Sequence, residues 1–248
     1  MKKLLLTALA SAVLSAVPVF AADAPLYPEA VTFYLNFDGK VDAAVAKGRA
    51  KPIQTIGKVE FKEGLRRQSL FCGKGGATLL YMRNKNVDFT KPGTIVFFYK
   101  PINWETEKYK GGAFFCGIQA NNGALYFNVA HDPAKLCPCR RPVTLNFFNG
   151  AKIPSRLYPY YTNFPQAECA NWHMLAFSWE PGKLQISQDG KVWQSFPVAF
   201  TITAADFPNP AICIGASSKW TYLLDEFTVY NRVLTSQELA AVYKNLKK

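Results

Sequence analysis

Histidine is scarce in this chain, with two among 248 residues, so the supply of candidate general bases for catalysis is small. The sequence also contains no Gly-x-Ser-x-Gly nucleophile elbow, no His-Glu-x-x-His zinc motif and no Gly-rich phosphate loop. Each of these motifs places a reactive group in a fixed backbone setting. Their absence argues against a catalytic protein.

Long apolar runs are missing as well, except at the N-terminus. Beyond residue 21 no segment approaches the ~18 apolar residues of a transmembrane helix. Before it, Lys2-Lys3 precede an uncharged run from Leu4 to Val17, and Val19-Phe20-Ala21 offers small residues at the cleavage positions. This pattern predicts a signal peptide over residues 1–21, with no cysteine just after it to carry a lipid anchor. We therefore expect an exported protein, located in the periplasm, outside the cell or at the cell surface.

No linker, repeat or low-complexity tract divides the remaining ~227 residues. This length is enough for the hydrophobic core of one β-sandwich. After an N-terminal extension (22–30), the pattern predicts one domain over residues 31–248. Short extended segments bounded by Gly, Pro, Asn or Asp run nearly end to end, and the first has a dry face that alternates with a wetter one. An all-β sandwich of two antiparallel sheets is therefore predicted. The predicted strands are Val31–Phe37, Leu65–Phe71, Ala77–Met82, Thr94–Lys100, Ala113–Gln119, Ala124–Val129, Val143–Phe148, Trp172–Trp179, Lys183–Ser187, Lys191–Phe196, Ala211–Gly215 and Tyr222–Tyr230.

The C-terminal end predicts the last strand and a short helix. In the strand, Asp225 is expected to point inward and to need partners. Three apolar residues share a face at period two: Leu223, Phe227 and Val229. Thr235 and Glu238 form a capping box that begins the helix. Its apolar stripe is Leu239, Val242, Tyr243 and Leu246.

Four segments in order resemble the laminin-G-like, concanavalin A-like jelly rolls. The strongest is Trp172-His-Met-Leu-Ala-Phe-Ser-Trp179, followed by Gly182-Lys-Leu-Gln-Ile-Ser and the Asp189-Gly190 turn. The others are Phe33–Asp38, Val87–Pro101 and Leu224–Leu234. The resemblance implies a jelly-roll sandwich with a short C-terminal helix, a fold that hosts lectins, adhesion modules and glycan-cleaving enzymes alike.

Glycan-cleaving enzymes need two groups that flank one sugar bond, and no strand here alternates such side chains. Asp225 and Glu226 are adjacent, so we expect them to face opposite sides of their strand. The preferred interpretation is a secreted, non-catalytic carbohydrate-binding domain of the lectin type. The alternatives are a structural or adhesion protein of the cell surface and a polysaccharide hydrolase or lyase.

An aromatic loop is the candidate glycan-binding surface. Sugar rings present flat C–H faces, so their sites combine aromatic platforms with amide or Arg partners. The candidate residues are Arg156, Tyr158, Tyr160, Tyr161, Asn163 and Trp220. The alternative is that this loop only packs on the rim of the sandwich. Trp220 is likewise either a platform or a lid on the core, and for Trp104 packing is the expected role.

Six cysteines in an exported protein favour disulfides over a metal site. The loop cysteines are Cys137, Cys139 and Cys169, and a bridge from either of the first two to Cys169 closes a loop of ~30 residues. The cysteines in apolar strands, Cys72, Cys116 and Cys213, fit buried thiols or inter-strand bridges. The loop cysteines together with His131 and His173 leave a soft-metal site as the weaker alternative. For His173 itself, a structural role on its strand is expected.

Basic residues exceed acidic ones by 29 to 17, and removal of Lys2 and Lys3 leaves a net charge of +10. This excess favours an anionic partner, in this compartment a sulfated or uronic-acid polysaccharide, lipopolysaccharide or anionic cell wall. The alternative is a basic protein with no charged partner. Nucleic acid is not expected, since the basic residues are scattered and are not interleaved with aromatics. The resemblance also implies calcium near the rim, with Asp38 and Asp225 as its carboxylates; hydrogen bonds to the backbone are the alternative role for both. No other cofactor is expected.

Overall fold

The computed structural model describes residues 24–102, 104, 111–120, 123–131, 141–147, 161–162, 170–197, 203–216 and 220–246. These residues form sixteen β-strands and one α-helix. The strands are β1 (Val31–Leu35), β2 (Val45–Ala46), β3 (Gln54–Ile56), β4 (Phe61–Glu63), β5 (Gln68–Cys72), β6 (Thr78–Met82), β7 (Gly93–Ile102), β8 (Gly111–Ala120), β9 (Gly123–His131), β10 (Arg141–Phe147), β11 (Tyr161–Thr162), β12 (His173–Glu180), β13 (Lys183–Gln188), β14 (Lys191–Pro197), β15 (Ala211–Ile214) and β16 (Thr221–Tyr230), and the helix is α1 (Ser236–Leu246).

The strands make two antiparallel sheets. One has the order β14-β13-β12-β7-β16-β1-β2, and β5 also pairs with β16 and carries β4. The other has the order β11-β10-β9-β8-β15-β6-β3. Apolar side chains from both sheets meet in one core, which holds Phe33, Phe97 and Phe115 at 0% exposure. The predicted all-β, two-sheet antiparallel sandwich with a short C-terminal helix is confirmed.

All twelve predicted strands are present, with boundaries that differ by up to three residues. Four further strands were not predicted: β2, β3, β4 and β11. Each has only two or three residues, too few for an alternating pattern to emerge. The Asp189-Gly190 turn joins β13 to β14 with positive φ at both residues, as a tight hairpin requires.

The prediction of a wetter face on β1 is wrong. Thr32 and Tyr34 are both buried, at 8% and 2% exposure, as are the side chains on the other face. The reason is a second apolar layer, because α1 and the N-terminal residues Leu26 and Tyr27 cover the outer side of this sheet. Tyr34 therefore packs beneath the helix with Leu239 and Val242.

The predicted capping box forms at the start of α1. The Thr235 backbone N–H donates to Glu238 Oε2 at 2.8 Å, and the Glu238 N–H donates to Thr235 Oγ1 at 3.2 Å. Arg232 also donates to both oxygens of Glu238, at 2.9 and 2.8 Å, and this pair lowers the pKa of Glu238 to about 2.

Among the described residues, no helix is long and apolar enough to cross a membrane.

The variant Thr235→Ala tests the cap. It removes the acceptor for the Glu238 N–H, so we expect the free energy of unfolding to fall by about 1 kcal/mol. Urea denaturation measures this, with Ser236→Ala as the control, because Ser236 is exposed and takes no part in the box. Equal stability of the two variants would show that the box contributes nothing.

Candidate binding site

The predicted aromatic loop lies almost wholly outside the described residues. This applies to Arg156, Tyr158, Tyr160 and Asn163. The backbone of Tyr161 is described: with Thr162 it forms β11, which pairs with β10 at an end of the seven-stranded sheet. The glycan-binding role of these residues stays a prediction.

Trp220 lies inside the protein. Its side chain is 1% exposed, and its ring centroid is 5.1 Å from that of Trp104, which is also buried. Trp104 in turn donates its indole N–H to the Thr221 carbonyl at 2.6 Å. A ring this buried has no free face for a sugar. The platform prediction for Trp220 does not fit this burial, and the alternative, a lid on the core, does.

Asp38 and Asp225 do not fit a calcium site. Asp38 accepts the Gln68 backbone N–H at 3.2 Å and the Asn36 amide at 3.0 Å, and Asp225 accepts two backbone N–H groups. Calcium needs six to eight oxygen ligands, whereas these carboxylates face nitrogen donors. Within the described ranges no group of three or more His, Cys, Asp or Glu residues could hold a metal ion. Hydrogen bonding, the alternative role for both aspartates, agrees with these contacts.

Asp225 and Glu226 sit on a β-bulge, where the partner of β16 changes from β5 to β1. Glu226 has a φ of 53°, so the expectation that the two side chains face opposite sides does not apply. Both are buried, at 1% and 4% exposure, and Glu226 accepts the Tyr34 hydroxyl at 2.9 Å. Burial, followed by the neighbouring Glu226 carboxylate, raises the pKa of Asp225 well above its ordinary value.

The bulge also corrects the predicted face of β16. Leu224, Phe227 and Val229 reach the core between the sheets, and Leu223 does not. One extra residue at the bulge shifts the alternation, so the even-numbered position before it and the odd-numbered positions after it face the same way.

The strand cysteines Cys72, Cys116 and Cys213 are free thiols. Burial raises the pKa of each, that of Cys213 to about 11, so they are poor nucleophiles. This fits the buried-thiol interpretation and does not support a bridge among these three. The disulfide candidates Cys137, Cys139 and Cys169 lie outside the described residues. The soft-metal site needs the same cysteines, so it also stays a prediction.

His173 fits its expected structural role. It is 4% exposed, and its Nδ1 lies 3.1 Å from Asp189 Oδ2 in the hairpin turn. Asp189 Oδ1 also accepts the Met174 backbone N–H at 2.8 Å. The histidine therefore fixes the β13–β14 hairpin to β12.

An open cleft at one end of the sandwich is the described feature best suited to a ligand. Its volume is about 700 Å³, within the range of small-molecule sites. The turn and loop of residues 83–92 form one wall, Lys47 lies on another, and the ends of β1 and β16 close the base. We call this the end cleft. Four of its side chains are basic (Lys47, Arg83, Lys85 and Lys91) and one is acidic (Asp88).

Asn86 holds the two basic walls of the end cleft together. Its side chain is buried, at 1% exposure, and its Oδ1 accepts the Gly48 N–H at 2.7 Å. Its Nδ2 donates to the carbonyls of Arg49 and Met82 at 2.9 and 3.0 Å. The approach is so close that a Cβ on Gly48 would lie 2.1 Å from the Asn84 carbonyl. One amide therefore fixes the Lys47 segment against the turn that carries Arg83 and Lys85.

A row of aromatic side chains in contact leads to the end cleft, which Trp179 lines. Ring centroids are 5.7 Å apart between Phe177 and Trp179, 4.6 Å between Trp179 and Phe89, and 5.5 Å between Phe89 and Phe207. The Arg83 guanidinium lies 5.8 Å from the Phe207 ring centroid and donates to the Phe207 carbonyl at 2.7 Å. The row of rings thus runs from the buried Phe177 to the Arg83 guanidinium, which lines the end cleft.

The end cleft was not predicted from the sequence. Lys47 and Arg83 are far apart in the chain and meet only because β1 and the β6–β7 connection lie side by side. The one local signal is the Arg83-Asn-Lys-Asn86 turn with its two basic residues. Nothing in that turn marks Asn86 as the buried member.

The model of the Laminin_G_3 family, described as the concanavalin A-like lectin/glucanases superfamily, matches residues 74–240 of this chain. This confirms the resemblance drawn from the sequence segments. A search of curated proteins finds no match.

Solved structures of botulinum neurotoxin binding domains have the same fold. One concerns the cell entry of botulinum neurotoxin type C, which depends on interaction with two ganglioside molecules. It has 12% identity and a TM-score of 0.65, over 89% of this chain and 52% of that one. A neurotoxin DC binding domain in complex with rat synaptotagmin II has 11% identity and a TM-score of 0.63, over 89% and 52%. Another, in complex with SialylT, has 13% identity and a TM-score of 0.61, over 91% and 52%. The chain spans about half the length of these structures, and at such identities the likeness shows the fold alone.

Proposed function

Because the chain belongs to the Laminin_G_3 family of the concanavalin A-like lectin/glucanases superfamily, we propose that it is a non-catalytic carbohydrate-binding domain of the lectin type. We further propose that it is exported, to the periplasm or beyond, and that it recognises anionic glycans. The observation that carries this proposal is the end cleft, an open site of ligand size in which basic side chains outnumber acidic ones.

Three carboxyl groups of the described residues, those of Asp88, Asp225 and Glu226, support a binding role rather than glycan cleavage. Cleavage needs two carboxyl groups that flank the sugar bond. Asp225 and Glu226 are buried and hydrogen-bonded within the fold. In the end cleft, Asp88 has no acidic neighbour among the lining residues and accepts hydrogen bonds from both the backbone N–H and the hydroxyl of Thr90. None of these carboxyl groups is arranged for catalysis.

Among the neurotoxin structures of similar fold, one concerns cell entry that depends on interaction with two ganglioside molecules, and another is a complex with a protein, synaptotagmin II. Gangliosides are glycolipids that carry an oligosaccharide, which supports glycan recognition on this sandwich. The net charge of +10 expected after signal removal supports an anionic one, through long-range attraction.

A protein-adhesion role is the second candidate. The strand β3 ends the order of the seven-stranded sheet, and its Ile56 is 50% exposed. Terminal strands of this kind can pair with a strand from another chain. The end cleft favours the glycan role, because a partner strand that pairs with β3 would not use the end cleft.

The purified protein can be tested on an array of acidic and neutral glycans. We expect binding to acidic glycans, and a loss of about tenfold for Tyr160→Ala if the aromatic loop supplies a platform. The matched control is Tyr160→Phe, which keeps the flat ring and should bind like the unmodified protein. The absence of any bound glycan contradicts the proposed function. If Tyr160→Ala binds glycans as well as the unmodified protein does, the aromatic loop is not part of the binding site.

A further inference from the structure

We propose that the end cleft is the site that binds the acidic substituent of the glycan, a sulfate ester or a carboxylate, and that Arg83 contacts it directly. This inference rests on the proposed function and deepens it, since it locates the charge recognition away from the predicted aromatic loop. Three features of the end cleft support it: its charges, the setting of Arg83 and the rigidity of the walls.

The end cleft carries an excess of positive charge. Lys47, Lys85 and Lys91 are exposed at its rim. Only the last has an acidic neighbour there, with its Nζ 3.7 Å from Asp88 Oδ2. Among the described residues neither Lys47 nor Lys85 forms an ion pair, so their ammonium groups stay available to a ligand. An oxyanion that enters the cleft is attracted from several sides.

Among the basic residues of the end cleft, Arg83 is held in place by hydrogen bonds. Its backbone N–H donates to the Pro210 carbonyl at 2.7 Å, and its Nη2 is fixed on the Phe207 carbonyl. Its buried Nε–H has no hydrogen-bond acceptor within the described part of the chain. Partial burial lowers the pKa of the guanidinium, an effect that Asp88 opposes. Because Arg83 also lines the end cleft, this fixed cation presents its charge to an oxyanion that binds there.

The walls that present these charges are rigid. The buried Asn86 amide ties the Lys47 segment to the Arg83 turn, and the Asn86 backbone carbonyl accepts the Thr32 hydroxyl at 2.6 Å. On the other side, the Trp179 indole donates to the Lys91 carbonyl at 2.6 Å. Binding therefore orders little backbone, which favours affinity in a site built from long side chains.

The test compares two triple variants of equal charge. The cleft variant is Lys47→Gln, Lys85→Gln and Lys91→Gln. The control is Lys40→Gln, Lys74→Gln and Lys244→Gln, three exposed lysines that do not line the cleft. Titration calorimetry measures binding of a sulfated oligosaccharide, an oligogalacturonate and a neutral oligosaccharide of equal length. The first two separate sulfate from carboxylate recognition.

We expect the cleft variant to bind at least one anionic probe about tenfold more weakly at ~0.15 M salt, while the control loses about twofold. Arg83→Gln should lose about tenfold, and Arg83→Lys should recover part of it, since Lys keeps the charge but not the fork. Equal losses in both triple variants would overturn the inference, because the attraction would then be general.

Two further outcomes separate this inference from the proposed function. Binding of the neutral probe alone would overturn the charge site and leave glycan binding intact. No binding of any probe by the unmodified protein would overturn both. Thermal melting of each variant checks the fold, and the exposed lysines give the decisive comparison even if an Arg83 variant is unstable.

Discussion

Asn86→Ala is expected to lower the free energy of unfolding by about 3 kcal/mol, a large loss for the truncation of one polar side chain. The side chain is buried and makes three hydrogen bonds to the backbone, with Gly48 N, Arg49 O and Met82 O. Truncation leaves those three backbone groups without their hydrogen-bond partner at a position that is 1% exposed. Urea denaturation measures the loss.

Asn86→Asp separates hydrogen bonding from size. The carboxylate can still accept the Gly48 N–H, but it faces the Arg49 and Met82 carbonyls, so it should be about as destabilising as alanine. The matched control is Asn84→Ala, at an exposed neighbour in the same turn, which we expect to change stability by less than about 0.5 kcal/mol. Asn86→Ala should also weaken binding of the anionic probes, because the walls of the end cleft lose their common anchor. Full stability of Asn86→Ala would show that the walls are held elsewhere.

Asp225→Asn is expected to change both the stability and its pH dependence. The two oxygens of Asp225 accept the backbone N–H groups of Leu65 and Glu226 at 2.8 and 2.9 Å. The amide replaces one acceptor with a donor that faces an N–H, so we expect a loss of about 1–3 kcal/mol at pH ~5.

The pH dependence follows from the raised pKa of Asp225. In the folded chain this carboxyl holds its proton to higher pH than in the unfolded chain, because of burial, the Glu226 carboxylate and Asp38. Its contribution is complete below the unfolded pKa of about 4 and is lost as pH rises through the folded pKa. Stability of the unmodified protein should therefore fall as pH rises above about 4, by up to about 1.4 kcal/mol per pH unit.

Asp225→Asn should flatten this decline. The control is Asp88→Asn, because hydrogen bonds from Thr90 and nearby positive charges outweigh partial burial and lower the pKa of Asp88, so its pH effect has the opposite sign. Denaturant unfolding at each pH gives the comparison. A decline as steep in Asp225→Asn as in the unmodified protein would place the titrating group elsewhere.

The parts of this fold that local spacing determines were predictable. The capping box needs only residues three apart, and Thr235 and Glu238 form it as expected. The long strands follow from alternation, and the buried Asp225 follows from a carboxylate in an apolar string. By contrast, the wetter face of β1 was wrong because α1, far along the chain, covers it.

Features that depend on the neighbouring strand were not predictable. The bulge at Glu226 arises where β16 changes partners from β5 to β1, an exchange that no local pattern records. The same limit hid the end cleft. The importance of Asn86 comes from backbone groups on a loop some 38 positions away in the chain, and only the fold brings them within hydrogen-bonding distance.

The central claim is that this sandwich binds acidic glycans without cleaving them. One measurement tests it directly: incubation of the purified protein with an acidic oligosaccharide, with binding followed by calorimetry and chain length by mass spectrometry. The proposal predicts saturable binding that the Lys47, Lys85 and Lys91 triple variant weakens, and complete recovery of the intact oligosaccharide. Shortened products, or no binding at all, would contradict it.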